Sequence, residues 1–293
     1  MVSCLDMDSI RIGFIGAGKV GTAFGCYLRN KGLAITGYAS RSLSSAKKAA
    51  ELTNSKVYSV KGLITACEII FITTNDDQIE KTAIEIDKLF SEFNGKSFIH
   101  MSGALSSKSL KPLQEKGAEV YSMHPMQSFA ELDKSITNLK DTAFGIEGCG
   151  DLELIISLLK KTGNSYLKLT PDQKSEYHIT SCVVSNFLTA LLDFGFEMMK
   201  SIGIEEKAVI SSLAPMIRGT VENNIKLGPQ KALTGPIARG DVETIVSHLQ
   251  SLEKSNQPAA VTYRQLGRMT LELAKKEKLT DPAIIEKMRN ILY

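Results

Sequence analysis

The amino-acid sequence predicts an α/β Rossmann domain, with a mainly parallel doubly wound sheet, followed by an all-α C-terminal domain. Through residue 169, short apolar runs alternate with amphipathic segments, a pattern typical of a parallel sheet with helices on both faces. From residue 170 onward we find no convincing strand, and long helical patterns follow one another to Tyr293. We therefore predict a Rossmann domain at residues 1–169 and a helical domain at residues 170–293.

Apolar runs and helical periodicity locate the individual elements. The candidate strands are residues 10–16, 34–39, 69–73, 97–101, 120–123, 143–147 and 166–169. The helices between them are predicted at 20–31, 43–53, 80–93 and 152–162, and those of the second domain at 171–202, 205–226, 241–254, 258–277 and 281–292. Thr170-Pro171-Asp172-Gln173 has the residues of a capping box, which indicates a helix start.

Composition excludes several classes of protein. The chain has 293 residues, 43% hydrophobic and 23% charged, with a net charge of +3, which is typical of a globular protein without a nucleic-acid footprint. No segment reaches the ~18 consecutive apolar residues of a membrane span, and Arg11 interrupts the first apolar run. Five scattered cysteines without C-x-x-C spacing predict reduced thiols and no metal site. We expect a cytoplasmic protein with no nucleic-acid or membrane partner.

A glycine-rich turn follows the first predicted strand. Gly16-Ala17-Gly18-Lys19-Val20-Gly21 is a G-x-G-x-x-G motif with a strand before it and a helix after it, the context that a dinucleotide site requires. Gly16 permits the tight turn, Gly18 lets the backbone approach a pyrophosphate, and Gly21 lets the helix pack close to the strand. The helix N-terminus then faces the phosphates.

The end of the second strand selects the cofactor. An NAD site typically has an Asp or Glu here that binds the ribose 2′-hydroxyl, but the strand ends in Ser40-Arg41-Ser42, with no carboxylate in reach. Arg41 offers a forked cation to a 2′-phosphate, and Ser40 and Ser42 offer short hydroxyl donors. The sequence therefore predicts NADPH as the cofactor.

Two further strand ends should line the nicotinamide half of the site. Thr73-Thr74-Asn75 and Ser102-Gly103 each follow a strand, and ligands of open α/β sheets bind beyond the carboxyl ends of the strands. Asp76 and Asp77 come next in the first of these segments. Because Asx residues favour the N-cap, we expect Asp77 to cap the following helix rather than to form a catalytic carboxylate pair.

Histidines and a polar helical stripe are the candidate catalytic groups. His124 follows another strand end, where a histidine is either an acid, an anion binder or a structural residue. Helical spacing places Lys174, His178, Ser181, Cys182, Ser185 and Thr189 on one stripe, with Asn186 at its edge. No charged residue occurs between Tyr177 and Leu192, which indicates burial against a ligand or another subunit. Lys174 is placed to donate a proton to a carbonyl oxygen.

A loop with two glycines and a proline interrupts the helical half. Residues 232–241 contain Thr234, Arg239 and Asp241. Asp241 is expected to cap the next helix, and Arg239 either clamps a substrate carboxylate or belongs to an ordinary helix connection.

These motifs together resemble a known group of proteins. The chain is similar to short-chain reductases with a Rossmann domain and a helical C-terminal domain, and more closely to a Rossmann-like family whose C-terminal half long had no assigned function. The segments that carry the resemblance are residues 100–104 (HMSGA), 124–129 (HPMQSF), 177–187 and 232–241 (ALTGPIARGD). They span nearly the whole chain, and the last is the most specific.

The resemblance implies a reaction and roles for several residues. Members of this family are similar to an alternative ketopantoate reductase, which implies NADPH-dependent reduction of 2-dehydropantoate to pantoate in pantothenate synthesis. In related reductases a Lys-x-x-x-Asn pair supplies the acid and a substrate amide. Here the spacing is Lys174-x-x-x-His178, so the catalytic proton donor is either Lys174 or His178. The substrate-binding residues expected are Ser102, His124, Gln127, Asn186, Thr234 and Arg239.

The resemblance also implies a homodimer that pairs through the helical domains. Two other functions remain open from the sequence. One is an imine reductase of the pyrroline-5-carboxylate type, which needs little acid catalysis because its substrate is already protonated. The other is a non-catalytic protein that senses NADPH, since a fold alone does not fix a function.

Overall fold

The computed structural model describes Met7 and residues 9–293. Its internal contacts divide the chain into two compact units, Met1–Leu191 and Leu192–Tyr293. Each unit is described by itself below. The division lies inside the helical segment that begins at Pro171, and not at the change of sequence pattern before it.

The first unit is built on an eight-stranded sheet, which confirms the predicted α/β Rossmann architecture. The strands are β1 (Ile12–Ile15), β2 (Ile35–Ala39), β3 (Lys56–Val57), β4 (Ile69–Ile72), β5 (Ser97–His100), β6 (Glu119–Pro125), β7 (Phe144–Gly148) and β8 (Tyr166–Lys168). Their order is β3-β2-β1-β4-β5-β6-β7-β8. Every pairing is parallel except that of β6 with β7.

The central strands are continuous apolar runs because helices cover both faces of the sheet. All residues of β1 (IGFI) and β4 (IIFI) are buried. Separate apolar clusters lie on the two faces, one with Phe14, Phe71 and Phe144 and the other with Ile70, Ile72 and Phe98. The sheet therefore holds its strand ends rigidly at one edge, where the predicted site residues lie.

Helices of the first unit follow the predicted alternation. They are α1 (Lys19–Asn30), α2 (Leu43–Thr53), α3 (Val60–Ala66), α4 (Asp76–Asp87), α5 (Lys111–Gln114), α6 (Leu132–Asn138) and α7 (Glu153–Thr162). The sequence pattern missed α3, α5 and α6, which have at most seven residues each. Helices this short contain too few turns to produce a clear 3.6-residue period.

The helical segment 171–201 contains a local change of winding. It consists of a 3₁₀ turn at Pro171–Gln173, α8 (Lys174–Cys182), a π-helical turn at Val183–Phe187 and α9 (Leu188–Ser201). The predicted start is confirmed, since Gln173 Oε1 accepts a hydrogen bond of 2.9 Å from the Thr170 amide. The first part of the segment belongs to the first unit because Lys174 and Tyr177 bury their side chains among its strands.

The second unit is entirely helical in the part of the chain that the structure describes. After the end of α9 its helices are α10 (Glu206–Leu227), α11 (Pro229–Ala232), α12 (Pro236–Arg239), α13 (Val242–Ser255), α14 (Gln257–Ala274) and α15 (Pro282–Leu292). A core that includes Ile245, Leu271 and Met288 joins α12, α13, α14 and α15. Asp241 caps α13 as predicted, since its carboxylate accepts hydrogen bonds from Thr244 N and Oγ1 at 3.1 and 2.7 Å.

An exposed apolar surface runs along the segment 171–201. By length and composition alone this helix could cross a membrane, with a mean hydropathy of 1.5 in its most apolar part, but one such helix is weak evidence for a span. Its apolar side is exposed: Ile179, Val184 and Phe187 are 57%, 65% and 63% accessible. Exposed apolar patches of this kind mark interaction surfaces.

Candidate active site

The glycine turn after β1 has the geometry that the motif predicts. Gly16 has φ +110°, a conformation that side chains rarely adopt. A Cβ on Gly16 would lie 2.7 Å from the Thr73 backbone, and one on Gly21 would contact Thr73 Oγ1 more closely still. Thr73 Oγ1 also donates a 3.0 Å hydrogen bond to Gly16 O. The turn and the end of β4 are therefore packed in direct contact, and only glycine fits at these two positions.

The start of α1 offers an anion site. Its N-cap, Gly18, has no side chain to bind the first amides of the helix, and no atom lies within 4 Å of the place where a Cβ would be. These amides therefore face open space, as in sites that bind phosphate at a helix N-terminus. The turn borders two cavities of about 410 and 510 Å³.

The first cavity contains most of the residues predicted to bind the adenosine half of the cofactor. Gly16, Ala17 and Gly18 line it together with Ser40 and Arg41. Ser42 does not line this cavity, because its Oγ is the N-cap of α2 and accepts a hydrogen bond of 3.3 Å from Ser45 N. A serine in this position satisfies one of the free amides of the helix.

The second cavity contains the residues predicted near the nicotinamide. Lys19 and Val20 line it from α1, and Thr73-Thr74-Asn75 and Ser102 line it from the ends of β4 and β5. Thr74 Oγ1 is buried without a hydrogen-bond partner in the described structure, a condition that a ligand can relieve. Lys19 Nζ donates to Ala130 O at 2.8 Å. The residues present therefore fit a dinucleotide.

The expectation that Asp77 caps α4 was wrong. The N-cap is Asn75, without a side-chain cap bond, and Asp76 and Asp77 form the first turn of the helix. Asp76 instead accepts a 2.8 Å hydrogen bond from Ser102 Oγ. This bond links the ends of β4 and β5, which are neighbouring strands. Asp76 thus orients a loop of the cavity.

A third cavity of about 450 Å³ lies among the polar groups of β6 and α8. Its lining residues are His124, Met126, Gln127, Ser128, His178, Ser181, Cys182, Val184, Ser185 and Asn186. Gly103 lies beside both histidines: a Cβ there would be 2.5 Å from His178 Nδ1 and 2.9 Å from His124 Nε2. Because Gly103 follows Ser102, this histidine cavity adjoins the nicotinamide-side cavity.

Part of the predicted helical stripe lies in the histidine cavity. His178, Ser181, Cys182 and Ser185 line it, but Thr189 does not. The π turn adds about one residue to a helical turn, so the 3.6-residue spacing used in the prediction no longer holds after Val183. Thr189 Oγ1 instead donates to Ser185 O at 3.0 Å.

His124 is held by a tyrosine that the sequence reasoning did not select. Its Nδ1 lies 2.8 Å from Tyr177 Oη, and the two rings meet edge to face at 5.5 Å between centroids. The ring centroids of His178 and His124 are 6.1 Å apart, again edge to face. His178 Nε2 is 3.6 Å from Cys182 Sγ. Two imidazoles therefore lie beside Gly103. Of the two, only that of His124 has a strong hydrogen-bond partner in the described structure.

Lys174 is buried near these histidines and does not line any of the three cavities. Its side chain is 2% exposed, and Nζ donates to Ser102 O at 2.9 Å and to Ser122 Oγ at 2.8 Å. Glu147 lies opposite Ser122 in the β6–β7 pairing and accepts hydrogen bonds from Ser107 N and Oγ at 2.6 and 2.9 Å. Lys174 is thus the centre of a buried polar network.

Burial dominates the electrostatics of the site. It lowers the pKa of Lys174 to about 8, against the opposing charges of Glu147 and Asp76. It lowers the pKa of His124 to about 3, with Lys174 as the next cause, and that of His100 to about 4. Burial also raises the pKa of Tyr177 to about 12. At neutral pH His124, His100 and Tyr177 are therefore uncharged, and Lys174 is the nearest cation.

The remaining predicted substrate residues are less closely grouped. Gln127 lines the histidine cavity, but its amide already donates to Ser135 O and accepts from Thr142 Oγ1. Asn186 lies in the π turn and is exposed. Thr234 and Arg239 are exposed residues of the second unit, and their proposed contact with substrate stays a prediction.

Sequence reasoning missed Tyr177, Ser122, Glu147 and Asp76 as parts of this network. For two of them a signal was present. Ser122 and His124 are two residues apart and so lie on one face of β6, and Tyr177 follows Lys174 by three residues on one helical face.

The three histidines near the site do not form a metal centre. Within Met7 and residues 9–293, no group of three or more His, Cys, Asp and Glu side chains is arranged to hold a metal ion.

Comparison with solved structures shows that the fold is shared with reductases. TM1727 from Thermotoga maritima is 24% identical with a TM-score of 0.73, and covers 92% of this chain and 100% of its own. BF3122 from Bacteroides fragilis, assigned as an NADP oxidoreductase, is 21% identical with a TM-score of 0.71 (91% and 100% covered). The pyrroline carboxylate reductase of Plasmodium falciparum, solved with NADP bound, is 15% identical with a TM-score of 0.60 (98% and 100% covered). No curated protein matches the chain.

Family models divide the sequence between two domain types. Residues 2–125 match the Rossmann-like domain, and residues 142–270 match a domain of unknown function, DUF2520. Together the two matches contain three of the four motifs on which the resemblance rests, and the first two residues of the motif at 124–129. The chain therefore belongs to the family that joins a Rossmann-like domain to a DUF2520 domain, as its motifs implied.

Proposed function

We propose that the protein is an NADPH-dependent reductase of a small 2-oxoacid, with 2-dehydropantoate (ketopantoate) as the first substrate to test. One observation carries this proposal: the histidine cavity of about 450 Å³ adjoins the cavity at the ends of β4 and β5 through Ser102 and Gly103. A substrate in the first would lie next to a nicotinamide in the second. The polar lining, with two imidazoles, suits a small oxygen-rich molecule.

Residues of the first unit supply the cofactor site. Arg41 and Ser40 bind the 2′-phosphate, the amides after Gly18 bind the pyrophosphate, and Thr74 Oγ1 gains a hydrogen-bond partner. When bound, NADPH supplies the hydride for the ketone carbon. A preference for NADPH over NADH follows from the absence of a carboxylate at the end of β2.

We assign proton delivery to His178. Its imidazole lines the substrate cavity, whereas Lys174 is 2% exposed and its ammonium is bound by Ser102 O and Ser122 Oγ. As the ketone carbon gains a hydride, its oxygen gains the proton of His178, which solvent then restores. The products are the 2-hydroxyacid and NADP⁺. Lys174 positions the Ser102-Gly103 loop between the two cavities.

The direct test follows NADPH absorbance with ketopantoate, and then with a panel of other 2-oxoacids and NADH. We expect turnover with at least one 2-oxoacid and a preference for NADPH. NADPH binding without turnover of any 2-oxoacid or imine would replace this proposal with a sensing role. Turnover of imines alone would replace it with the second candidate.

That second candidate is an imine reductase of the pyrroline-5-carboxylate type. Its support is the absence of Lys and Arg from the lining of the histidine cavity, since a substrate that arrives protonated requires no strong acid. The two candidates differ in their response to a Lys174→Met, His178→Asn double substitution. Imine reduction would keep nearly its full rate, while ketone reduction would lose it.

We further propose that a second copy of the chain covers the exposed apolar side of the segment 171–201. The helix is nearly free of charge between Tyr177 and Leu192 and exposes Val184 and Phe187 by 65% and 63%. Twofold dimers, in which the same surface of each copy meets, are the commonest homo-oligomers. Sedimentation should give twice the chain mass of 32.0 kDa; a monomer at micromolar concentration would exclude the proposal.

A further inference from the structure

His124 and Tyr177 form a pair whose hydrogen-bond direction can be determined from its surroundings. His124 Nδ1 and Tyr177 Oη are 2.8 Å apart, so one of the two groups donates. Tyr177 is 9% exposed, which leaves little access for water to its hydroxyl. The direction decides which nitrogen of His124 carries the proton that faces the cavity.

The strand opposite His124 packs against the Tyr177 hydroxyl. Gly145 lies directly across from His124 in the β6–β7 pairing, and a Cβ on Gly145 would be 2.5 Å from Tyr177 Oη. The phenol oxygen therefore rests against the Gly145 backbone, and its one hydrogen bond in the described structure is the bond to His124. Within the described residues the hydroxyl has no other hydrogen-bond acceptor than His124 Nδ1. Because a buried hydroxyl hydrogen requires an acceptor, the Tyr177 hydroxyl donates to His124 Nδ1.

The neutral form of His124 is consistent with every group that faces it. Lys174, Tyr177 and His178 approach from α8, and His100 from the end of β5. None of these carries a negative charge near the imidazole at neutral pH, and the Lys174 ammonium opposes its protonation. With Nδ1 occupied as an acceptor, the single proton of the neutral ring resides on Nε2.

We propose that Tyr177 is a positioning residue that holds His124 as the Nε2–H tautomer, so that Nε2 is a fixed hydrogen-bond donor to a substrate oxygen in the histidine cavity. Nε2 has no hydrogen-bond partner among the residues that the structure describes, and it lies on the Gly103 side of the ring. The identity of the substrate rests on the proposed function; the tautomer does not.

This arrangement distinguishes the roles of the two cavity histidines and favours a class of substrate. His178 delivers a proton, whereas His124 donates a hydrogen bond and keeps its proton throughout. A fixed N–H donor suits a ketone or carboxylate oxygen, which accepts. It is a poor partner for a protonated imine, whose nitrogen only donates. The pair therefore favours a substrate oxygen as its partner, which is the ketone or carboxylate of a 2-oxoacid, or the carboxylate but not the nitrogen of a cyclic imino acid.

The experiment reads the tautomer directly by NMR. The chain contains four histidines, and ring ¹H–¹⁵N correlations of protein labelled at histidine distinguish Nδ1–H, Nε2–H and doubly protonated rings. His124→Gln assigns the signal, and Tyr177→Phe removes the hydroxyl. Tyr263→Phe is the matched control, because Tyr263 makes a bond of the same 2.8 Å length to His248 in the second unit.

We expect His124 to show the Nε2–H pattern, unchanged from about pH 5 to 8. Tyr177→Phe should give a mixture of tautomers and shift titration of His124 to higher pH, while Tyr263→Phe leaves the His124 signal unchanged. An Nδ1–H pattern in the wild-type protein would overturn the proposal, and so would an unaltered His124 signal in Tyr177→Phe. The wild-type spectrum provides this test even if Tyr177→Phe does not fold.

Kinetics add a second measurement once a substrate is known. Tyr177→Phe should lower kcat/KM about tenfold through the loss of one oriented hydrogen bond, with no change in NADPH affinity. If no 2-oxoacid is turned over but the spectrum shows Nε2–H, the proposed function fails and the tautomer assignment stands. If turnover of a 2-oxoacid is found but the spectrum shows an Nδ1–H ring, the tautomer assignment fails and the proposed function stands.

Discussion

The two units each contain a histidine–tyrosine pair of nearly the same geometry. His124 and Tyr177 have an N···O distance of 2.8 Å and rings 5.5 Å apart at 89°. His248 and Tyr263 have an N···O distance of 2.8 Å and ring centroids 5.8 Å apart, with the rings at 90°. The surroundings differ, because His248 is exposed and His124 is partly buried beside Lys174 and other histidines.

The difference shows that hydrogen-bond geometry alone does not make a site. Water competes for the exposed pair, so its orientation has little energetic weight. Around His124 burial lowers the local dielectric constant, which strengthens the hydrogen bond and makes a wrong orientation costly. Three of the four histidines in the chain, His100, His124 and His178, lie in the first unit. We therefore expect substitutions at the two pairs to have very different effects.

The largest expected effect is that of His178→Asn. Removing the proposed proton donor should lower kcat by about a hundredfold or more, the usual contribution of general acid catalysis. NADPH affinity should remain unchanged, because His178 does not line the two cavities at the glycine turn. The matched change His248→Asn should leave steady-state kinetics at the wild-type level. Equal losses from the two substitutions would contradict the assignment of proton delivery to His178.

A smaller effect is expected from Gly103→Ala. The added Cβ would lie 2.5 Å from His178 Nδ1 and 2.9 Å from His124 Nε2, so both rings must move. Since misplacement of a reacting group by ~1 Å can lower rates about a hundredfold, we expect a kcat loss of tenfold to about a hundredfold. Stability should change little, because the clashing atoms are side-chain ends.

Gly219→Ala in α10 is the control for Gly103→Ala, since no atom lies within 4 Å of its added Cβ. It should retain full activity, and thermal unfolding should show unchanged or higher stability because alanine favours helix. Wild-type kinetics in Gly103→Ala would show that the imidazoles need not be held where the structure has them.

The smallest effect concerns stability against pH. The pKa of His124 is about 3 in the folded protein and ~6.5 in an unfolded chain, so the folded state binds fewer protons between these values. Its contribution to the free energy of unfolding is complete above about pH 6.5 and is lost as pH falls towards 3. Near pH 5, His124→Asn should lower the slope of the free energy of unfolding against pH by the equivalent of about one bound proton. Urea unfolding at several pH values measures it; an equal change in His248→Asn would contradict the comparison.

Local patterns in the sequence were sufficient to predict most of the fold. The Rossmann half was predictable because its apolar strands and helices of ten or more residues leave clear periodicities. The two-residue β3 and the short α3 leave none. The division between the units falls at Leu191–Leu192, inside a continuous helical segment, where no change of sequence pattern marks it.

The same distinction applies to the site. The glycine turn and Arg41 could be found because they are contiguous, and each carries its chemistry in a few adjacent residues. The network of Lys174, Ser122 and Glu147 combines three elements, so only the tertiary structure reveals it. Ser42 illustrates a different limit: a hydroxyl that suits a phosphate suits a helix N-cap equally well, and sequence cannot choose between them.

The π turn at Val183–Phe187 means that the length of this helix is itself a functional variable. A π turn is equivalent to one residue inserted into an α-helix, and each residue rotates the following side chains by about 100°. Loss of one residue here would leave Lys174 and His178 in place while turning Leu188 and Leu191 to a different direction. The insertion therefore sets the rotation of the exposed apolar side after it relative to the side that carries Lys174 and His178. A single-residue deletion could alter that rotation without changing any side chain of the site.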